Sequence, residues 1–242
     1  ILDMASLGKN EWQFSDTGRL NALFVGSTAT INLEIHMKTI AVDAQGKVLV
    51  QEIDAPVLRP NGILTRSLFS LINTGTEIYI VGNRPDDTDG VEILGCSNCG
   101  RILEMGPEVE KPVKPGDLVA CGGLQMATHG EICSVPRHMF AKVPDGVTPQ
   151  EAAFTTLGTD SMHGVRQGRV GLGDRVVVLG TGLIGQMAAQ MARLNGGHVM
   201  VVGNNNERRV ELASKLGAEV VVLAASEDPV KAVSKFTDGM CA

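Results

Sequence analysis

The chain has 242 residues, 43 % apolar and 3 % aromatic, with 21 basic and 27 acidic side chains giving a formal charge of −6. This length allows one large domain or two modest ones, at about 100–150 residues each, with a core built from Val, Leu, Ile, Met and Ala rather than rings. The acidic balance and the lack of a basic block speak against nucleic acid as a partner.

The five cysteines are Cys96, Cys99, Cys121, Cys133 and Cys241. An odd count in a chain large enough to fold without staples argues against a disulfide scaffold. No secretory leader or membrane-length apolar run is visible, so the expected setting is cytoplasmic, with no membrane partner.

Residues 1–35 resist assignment and are read as an N-terminal extension. Beyond them, Lys38 to Val42 and Lys47 to Glu52 form a hairpin around Asp43-Ala-Gln-Gly46. Leu64 to Leu71 reads as a strand. Ile93 to Met105 reads as an interrupted one, with bends at Gly95 and Gly100. Asp117 to Cys121 and Glu131 to Val135 add two more. Many short strands between Gly and Pro turns predict a barrel-like β domain over residues 36–155.

After Pro144 the pattern changes to α/β. Thr148-Pro-Gln-Glu151 predicts a capping box that opens a short helix through Phe154. A helix over Ser161 to Val170 follows, then strand 175–179, helix Leu183 to Leu194, strand 199–202, helix Glu207 to Leu216, strand 219–223 and a helix from Asp228. This alternation predicts the first half of a doubly wound parallel sheet over residues 156–242. A complete fold of that type has about six strands, so the chain is expected to be a C-terminally incomplete piece.

The most informative segment is Arg175-Val-Val-Val-Leu-Gly-Thr-Gly-Leu-Ile-Gly185. An apolar strand runs into Gly180, Gly182 and Gly185, and an Ala-rich helix follows. The first glycine permits a tight turn, the second lets backbone approach a diphosphate, and the third lets helix pack on strand. Amides near Leu183 and Ile184 then face negative charge. The site predicted is for a dinucleotide. At the tip of the second strand, Gly203-Asn-Asn-Asn206 carries no acid to claim the ribose hydroxyls. Asn204 tolerates a 2′-phosphate, and Arg208 or Arg209 can pair with one. The pattern favours NADP, with NAD the alternative. The competing reading makes both arginines solvated residues of the next helix.

Asn73-Thr-Gly-Thr-Glu77 gathers small polar groups after a strand. Thr74 and Thr76 can bond a substrate oxygen, and Glu77 can exchange a proton through a partner. The alternative is a turn whose side chains cap backbone amides. Cys96-Ser-Asn-Cys99 is half of a metal site at most, and the remaining Cys and His show no paired spacing. Thr155, Thr156, Thr159, Asp160 and His163 lie just before the nucleotide fold. His163 reads equally as an acid or base and as a satisfied interfacial residue.

From about Lys38 to the end the text resembles the medium-chain dehydrogenase/reductase superfamily. The resemblance rests on Gly95 to Gly106, Lys114-Pro-Gly-Asp-Leu-Val119, Gly130-Glu-Ile-Cys-Ser-Val-Pro136, Ala141-Lys-Val-Pro-Asp-Gly-Val147, Gly173 to Gly185 and Lys215-Leu-Gly-Ala218. It implies a GroES-like catalytic β domain followed by a Rossmann domain, with a substrate cleft between them. It also implies a small-molecule substrate and leaves a homo-oligomer open. Zinc-using members carry Cys-Gly-Thr-Asp where this chain has Thr74-Gly75-Thr76-Glu77, and Gly-His-Glu where it has Gly95-Cys96-Ser97. The third ligand region falls near Thr155, without a Cys, and the four-cysteine structural lobe is missing. The resemblance therefore implies a zinc-independent branch. Thr76 matches the hydroxyl that relays the substrate proton, and Thr159 matches a threonine near the nicotinamide. The function expected is NAD(P)-dependent hydride transfer to or from a carbonyl, alcohol or activated alkene. The rivals are a non-catalytic dinucleotide-binding structural or regulatory protein, and an inactive dehydrogenase fragment.

Overall fold

A computed structural model of the chain describes residues 2–3, 36–83, 90–110 and 112–240. Apart from Leu2 and Asp3, the expected 1–35 extension lies outside the described residues. The chain divides into two compact units, Ile1–Thr156 and Leu157–Ala242.

The first unit is built on two sheets. β1 (Leu2–Asp3), β4 (Gly62–Ser70), β6 (Ser97–Met105), β7 (Leu118–Gly122) and β9 (Phe140–Lys142) lie side by side in that order. β8 (Ile132–Pro136) pairs antiparallel with the first half of β4. The smaller sheet has the order β3 (Val48–Asp54), β2 (His36–Val42), β5 (Glu92–Ile93). β4 shifts register against β6 twice, between Leu64 and Thr65 and between Ser67 and Phe69. Each bulge adds bend and twist to the strand, so the sheet curls around one core. Ile63, Ile102, Val119, Cys121, Cys133, Val135 and Phe140 fill it. Gly100 lies at the inner curve, where a Cβ would overlap the Arg66 carbonyl. The two sheets are stitched by backbone: Ile40 N–H donates to the His129 carbonyl at 3.0 Å, and Glu131 N–H to that of Lys38 at 3.1 Å.

Three features differ from expectation. Residues Thr74–Gly82 form a helix, α1, instead of a turn. β9 is a short strand with no sequence forecast. The helix expected from Ser161 to Val170 is α3, Thr155–Gln167. It starts earlier because it follows closely on α2 (Pro149–Ala152), and it stops before Arg169, which takes φ 54°. The capping box forms as the sequence predicts. Glu151 N–H donates to Thr148 Oγ1 at 3.3 Å, and Thr148 N–H donates to Glu151 Oε2 at 2.8 Å.

The second unit is a three-stranded parallel sheet, β10 (Arg175–Leu179), β11 (His198–Gly203) and β12 (Val220–Leu223), in that order. The central strand alternates its side chains between two cores. Val199 and Val201 pack with Ala189 and Ala192 of α4 (Leu183–Leu194) and Ala213 of α5 (Glu207–Lys215). Met200 and Val202 pack on the other face with Val222 and Ala232 of α6 (Pro229–Phe236). A sheet covered on both faces accounts for the nearly unbroken apolar strands. Asp228 caps α6, its Oδ1 accepting from the Val230 and Lys231 amides at 3.0 and 3.3 Å.

Candidate active site

The glycine-rich turn leaves the carboxyl end of β10. Gly180 takes φ 108°, in the left-handed region that a Cβ disfavours. Its amide donates to the Val202 carbonyl at 2.8 Å, which ties the turn to β11. At Gly185 a Cβ would overlap the Gly180 carbonyl, so the turn closes only with glycine there. At Gly182 a Cβ would meet nothing within 4 Å. That open side faces away from protein, and Gly182 caps α4 with no side-chain hydrogen bond. The first-turn amides of a helix have no intrahelical acceptor. Here those of Leu183 and Ile184 stand where both residues are exposed. The helix dipole adds partial positive charge at the same place. This cradle fits a diphosphate.

The tip of β11 lies beside the turn. A Cβ at Gly203 would meet the Thr181 methyl at 3.0 Å. Thr181 is correspondingly buried. Asn204 is exposed, and its carbonyl accepts from the Ala225 amide at 3.0 Å. Asn206 caps α5, with Oδ1 accepting from the Arg209 amide at 3.1 Å. Arg208 and Arg209 are exposed on the first turn of α5, without an ion-pair partner among the described residues. α3 packs on α4 through Ser161, whose Oγ donates to the Leu157 carbonyl at 2.7 Å and to that of Ile184 at 3.1 Å. Thr159 lines a hollow of about 340 Å³ with Met162, His163, Arg166 and Gln167, and no residue of the glycine turn lines it. A larger hollow, about 540 Å³, sits at the strand starts near Arg175, His198 and Val220. That is the wrong end of a parallel sheet for a nucleotide, which binds beyond the carboxyl ends.

In the first unit the structure gathers Asn73, Thr76, Glu77 and Cys96, and adds His129, which the sequence offers only as a possible metal partner, and Ser70, which it does not single out. Thr74 is exposed at the start of α1, and Thr76 is half-buried two residues on. Asn73 Nδ2 donates to Thr76 Oγ1 at 3.0 Å and to Cys96 Sγ at 3.8 Å. Glu77 is buried, and its Oε1 accepts from the Asn73 amide at 2.8 Å. The same oxygen accepts from His129 Nε2 at 3.0 Å, and His129 Nδ1 shares a 2.8 Å hydrogen bond with Ser70 Oγ. His129 and Ser70 are fully enclosed. The Glu77 carboxylate thus ties α1 to the sheet, and it also caps an amide as the turn reading anticipated. An apolar hollow of about 490 Å³ opens beside Glu77 and His129, walled by Ile40, Ile72, Ile78 and Val81. Thr74 and Thr76 are not on its wall.

The metal question turns on donors. Among the described residues no three His, Cys, Asp or Glu side chains are placed together to hold an ion. Thr74 offers a hydroxyl, Thr155 Oγ1 donates to the Ala152 carbonyl at 2.7 Å, and Thr156 Oγ1 donates to the Cys96 carbonyl at 3.2 Å. One thiol, Cys96, is left in a neighbourhood of hydroxyls and an amide. These residues do not fit zinc, which takes four ligands rich in Cys and His. Cys99, Cys121 and Cys133 are free, buried thiols, and Cys96 is buried as well. Burial pushes Cys99 up to about 12 against the lowering effect of Arg101.

A curled antiparallel β domain followed by a parallel sheet with a glycine-cradled helix start defines a GroES-like domain joined to part of a Rossmann fold. The Zinc-binding dehydrogenase family profile matches residues 184–242. The L-threonine 3-dehydrogenase of Thermococcus kodakarensis is 28 % identical over 225 residues, 81 % of this chain and 63 % of that protein. An oxidoreductase/dehydrogenase of unknown specificity from Escherichia coli superposes with TM-score 0.76 at 22 % identity, over 85 % of this chain and 68 % of its own. A zinc-binding dehydrogenase of Sinorhizobium meliloti 1021, bound to NADP, superposes with TM-score 0.71 at 24 % identity, over 82 % of this chain and 65 % of its own. The chain spans a little under two thirds of the Thermococcus relative's length. The chain is thus similar to zinc-type dehydrogenases over most of its length, while the family profile itself covers only its last quarter. Among the described residues no helix is long and apolar enough to cross a membrane.

Proposed function

We propose that the chain carries the cofactor-binding and proton-handling parts of an NAD(P)-dependent oxidoreductase. Its reaction interconverts a carbonyl and an alcohol, or reduces an activated alkene, without a catalytic zinc. The observation that carries this reading is the turn at Gly180–Gly185, open over Gly182 and unopposed by any side-chain cap on α4. A dinucleotide bound there supplies the nicotinamide that takes or gives the hydride.

The protein's own residues supply binding and proton traffic. Amides of Leu183 and Ile184 hold the diphosphate, with Gly180, Gly182 and Gly185 clearing the approach. Asn204, Arg208 and Arg209 read the adenosine ribose, and the absence of an acid at the β11 tip favours NADP over NAD. Thr159 is assigned to the nicotinamide end. Thr76 acts as a relay: its oxygen accepts the proton of a substrate alcohol as its own hydroxyl proton passes to water, and the transfer runs in reverse toward a carbonyl oxygen. Asn73 Nδ2 holds the Thr76 hydroxyl oxygen as an acceptor, which leaves the Thr76 O–H free to turn toward a substrate. Thr74, exposed two residues earlier, offers a second hydroxyl. Glu77 acts through Asn73 by fixing its amide. With hydroxyls and an amide where a metal would polarise the oxygen, stabilisation of developing charge falls to hydrogen bonds.

The test has three arms on the purified protein and on the full reading frame. NADPH should bind more tightly than NADH by fluorescence titration. Metal analysis should find less than one chelator-resistant zinc per chain. The full-length product should turn over at least one member of a carbonyl and enone panel. Binding without any turnover would leave a dinucleotide-binding protein and remove the enzyme.

A further inference from the structure

One buried residue joins the two ends of the cofactor cradle. Gln186 sits on the first turn of α4, and its amide donates to the Gly182 carbonyl at 2.9 Å. Its side chain leaves α4 altogether: Nε2 donates to the backbone carbonyl of Arg209 at 2.7 Å. The Arg209 amide is held in turn by Asn206 Oδ1 at 3.1 Å. Both backbone groups of Arg209 are therefore tied, one to its own cap and one to the diphosphate helix. Gln186 is 7 % exposed, and its Oε1 is buried with no hydrogen-bond partner. An orphaned buried oxygen is costly. A methionine of similar length would fill the space without it, so packing alone does not account for glutamine here; the Nε2 bond does.

We infer that Gln186 is a positioning residue for cofactor discrimination: it sets the distance between the diphosphate turn and the arginines on α5. Selectivity for a 2′-phosphorylated dinucleotide then depends on a side chain that touches no part of the ribose. This rests on the reading above that the turn holds a dinucleotide and that Arg208 or Arg209 meets a 2′-phosphate. The geometry adds what that reading lacks, a rigid link that fixes where those guanidinium groups begin. Loosening α5 shifts the anchor of a long flexible side chain, which weakens a phosphate contact more than the backbone contacts at Leu183 and Ile184.

The experiment titrates NADPH and NADH into the full chain and into Gln186→Met and Gln186→Leu, with circular dichroism to verify folding. The unaltered chain should prefer NADPH. Gln186→Met should weaken NADPH roughly five- to tenfold while NADH changes less than about twofold, as expected for one lost hydrogen bond acting on one subsite. Gln186→Leu should do the same. A folded variant that keeps the original NADPH-to-NADH ratio, or weakens both equally, overturns the inference and leaves the dinucleotide reading intact. Unfolding of both variants also overturns it, because the side chain would then serve the fold. Equal binding of the two cofactors by the unaltered chain overturns the NADP reading and this inference with it.

Discussion

The glycine turn at Gly180–Gly185 and the polar cluster at Asn73–Glu77 reach their geometry by opposite means. The turn is a backbone object: Gly180 supplies an unusual φ, Gly185 a close approach and Gly182 an open side. Its working groups are amides, and local sequence fixes them. The cluster is a side-chain object. Glu77 meets a histidine 52 residues away, which leans on a serine 59 residues away from it. Backbone sites are thus sensitive to the addition of a single carbon, whereas side-chain sites are sensitive to the loss of one partner.

The contrast can be broken in order of expected effect. Thr76→Val on the full reading frame should lower kcat by about 10²–10⁴-fold, the usual range for a proton-transfer group, and leave NADPH affinity unchanged. Parallel losses in both would merge the two sites into one. Gly185→Ala should do the reverse to the turn. Its Cβ overlaps the Gly180 carbonyl, and overpacking typically costs about 1–3 kcal/mol. NADPH affinity should fall by ten- to a hundredfold by fluorescence titration. Unaltered binding would show that the turn has slack to absorb a methyl.

His129→Ala should leave the buried Glu77 with the Asn73 amide but without its histidine. Losing one of the hydrogen bonds to a buried acceptor costs about 1–3 kcal/mol, read as a lowered midpoint in urea unfolding. Pairing it with Glu77→Gln should give a non-additive double-mutant cycle, and strict additivity would mean that the two do not act together. Thiol labelling should separate core from surface. With Cys99 raised to about 12 by burial and Cys121 also raised by burial, then by its neighbouring thiols, neither should react with maleimide at pH 8 until the chain unfolds.

The smallest effect concerns acid. The Lys142 side chain, then the Lys114 amide, hold Asp117 below its usual range; the Thr148 amide and hydroxyl do the same for Glu151. A lowered folded value means that the stabilisation is present above the ordinary carboxylate range. It is lost as pH falls through the folded value, below about pH 4. Glu151 is exposed and Asp117 half-buried at the surface, so Asp117→Asn and Glu151→Gln should each flatten the acid limb of the stability curve only slightly.

Legibility in the sequence follows the same division. β10, α4 and the glycine turn follow from local pattern, and so does the Thr148–Glu151 box. α1 was hidden because Thr-Gly-Thr is a poor helix start; the tie from Glu77 to the Asn73 amide, with burial of Glu77, outweighs that propensity. Asn206 has the residue type of a helix cap, but within a run of three asparagines the sequence does not tell the cap from a ribose ligand. His129 gave no signal, since nothing near it in the chain reports Ser70 or Glu77. Gln186 lies immediately after the third glycine, yet its partner carbonyl is 23 residues on and visible only once α4 and α5 share a sheet face.

The contact between Gly203 and Thr181 has a practical side for anyone redesigning the protein. Because a Cβ on residue 203 would overlap the Val210 methyl of α5 and crowd the Thr181 methyl at 3.0 Å, a larger residue there must push both neighbours aside. The exposed pair Asn204 and Asn205 is open to variation. A library meant to exchange one coenzyme for the other should diversify those two asparagines and the α5 arginines, and leave the glycine untouched.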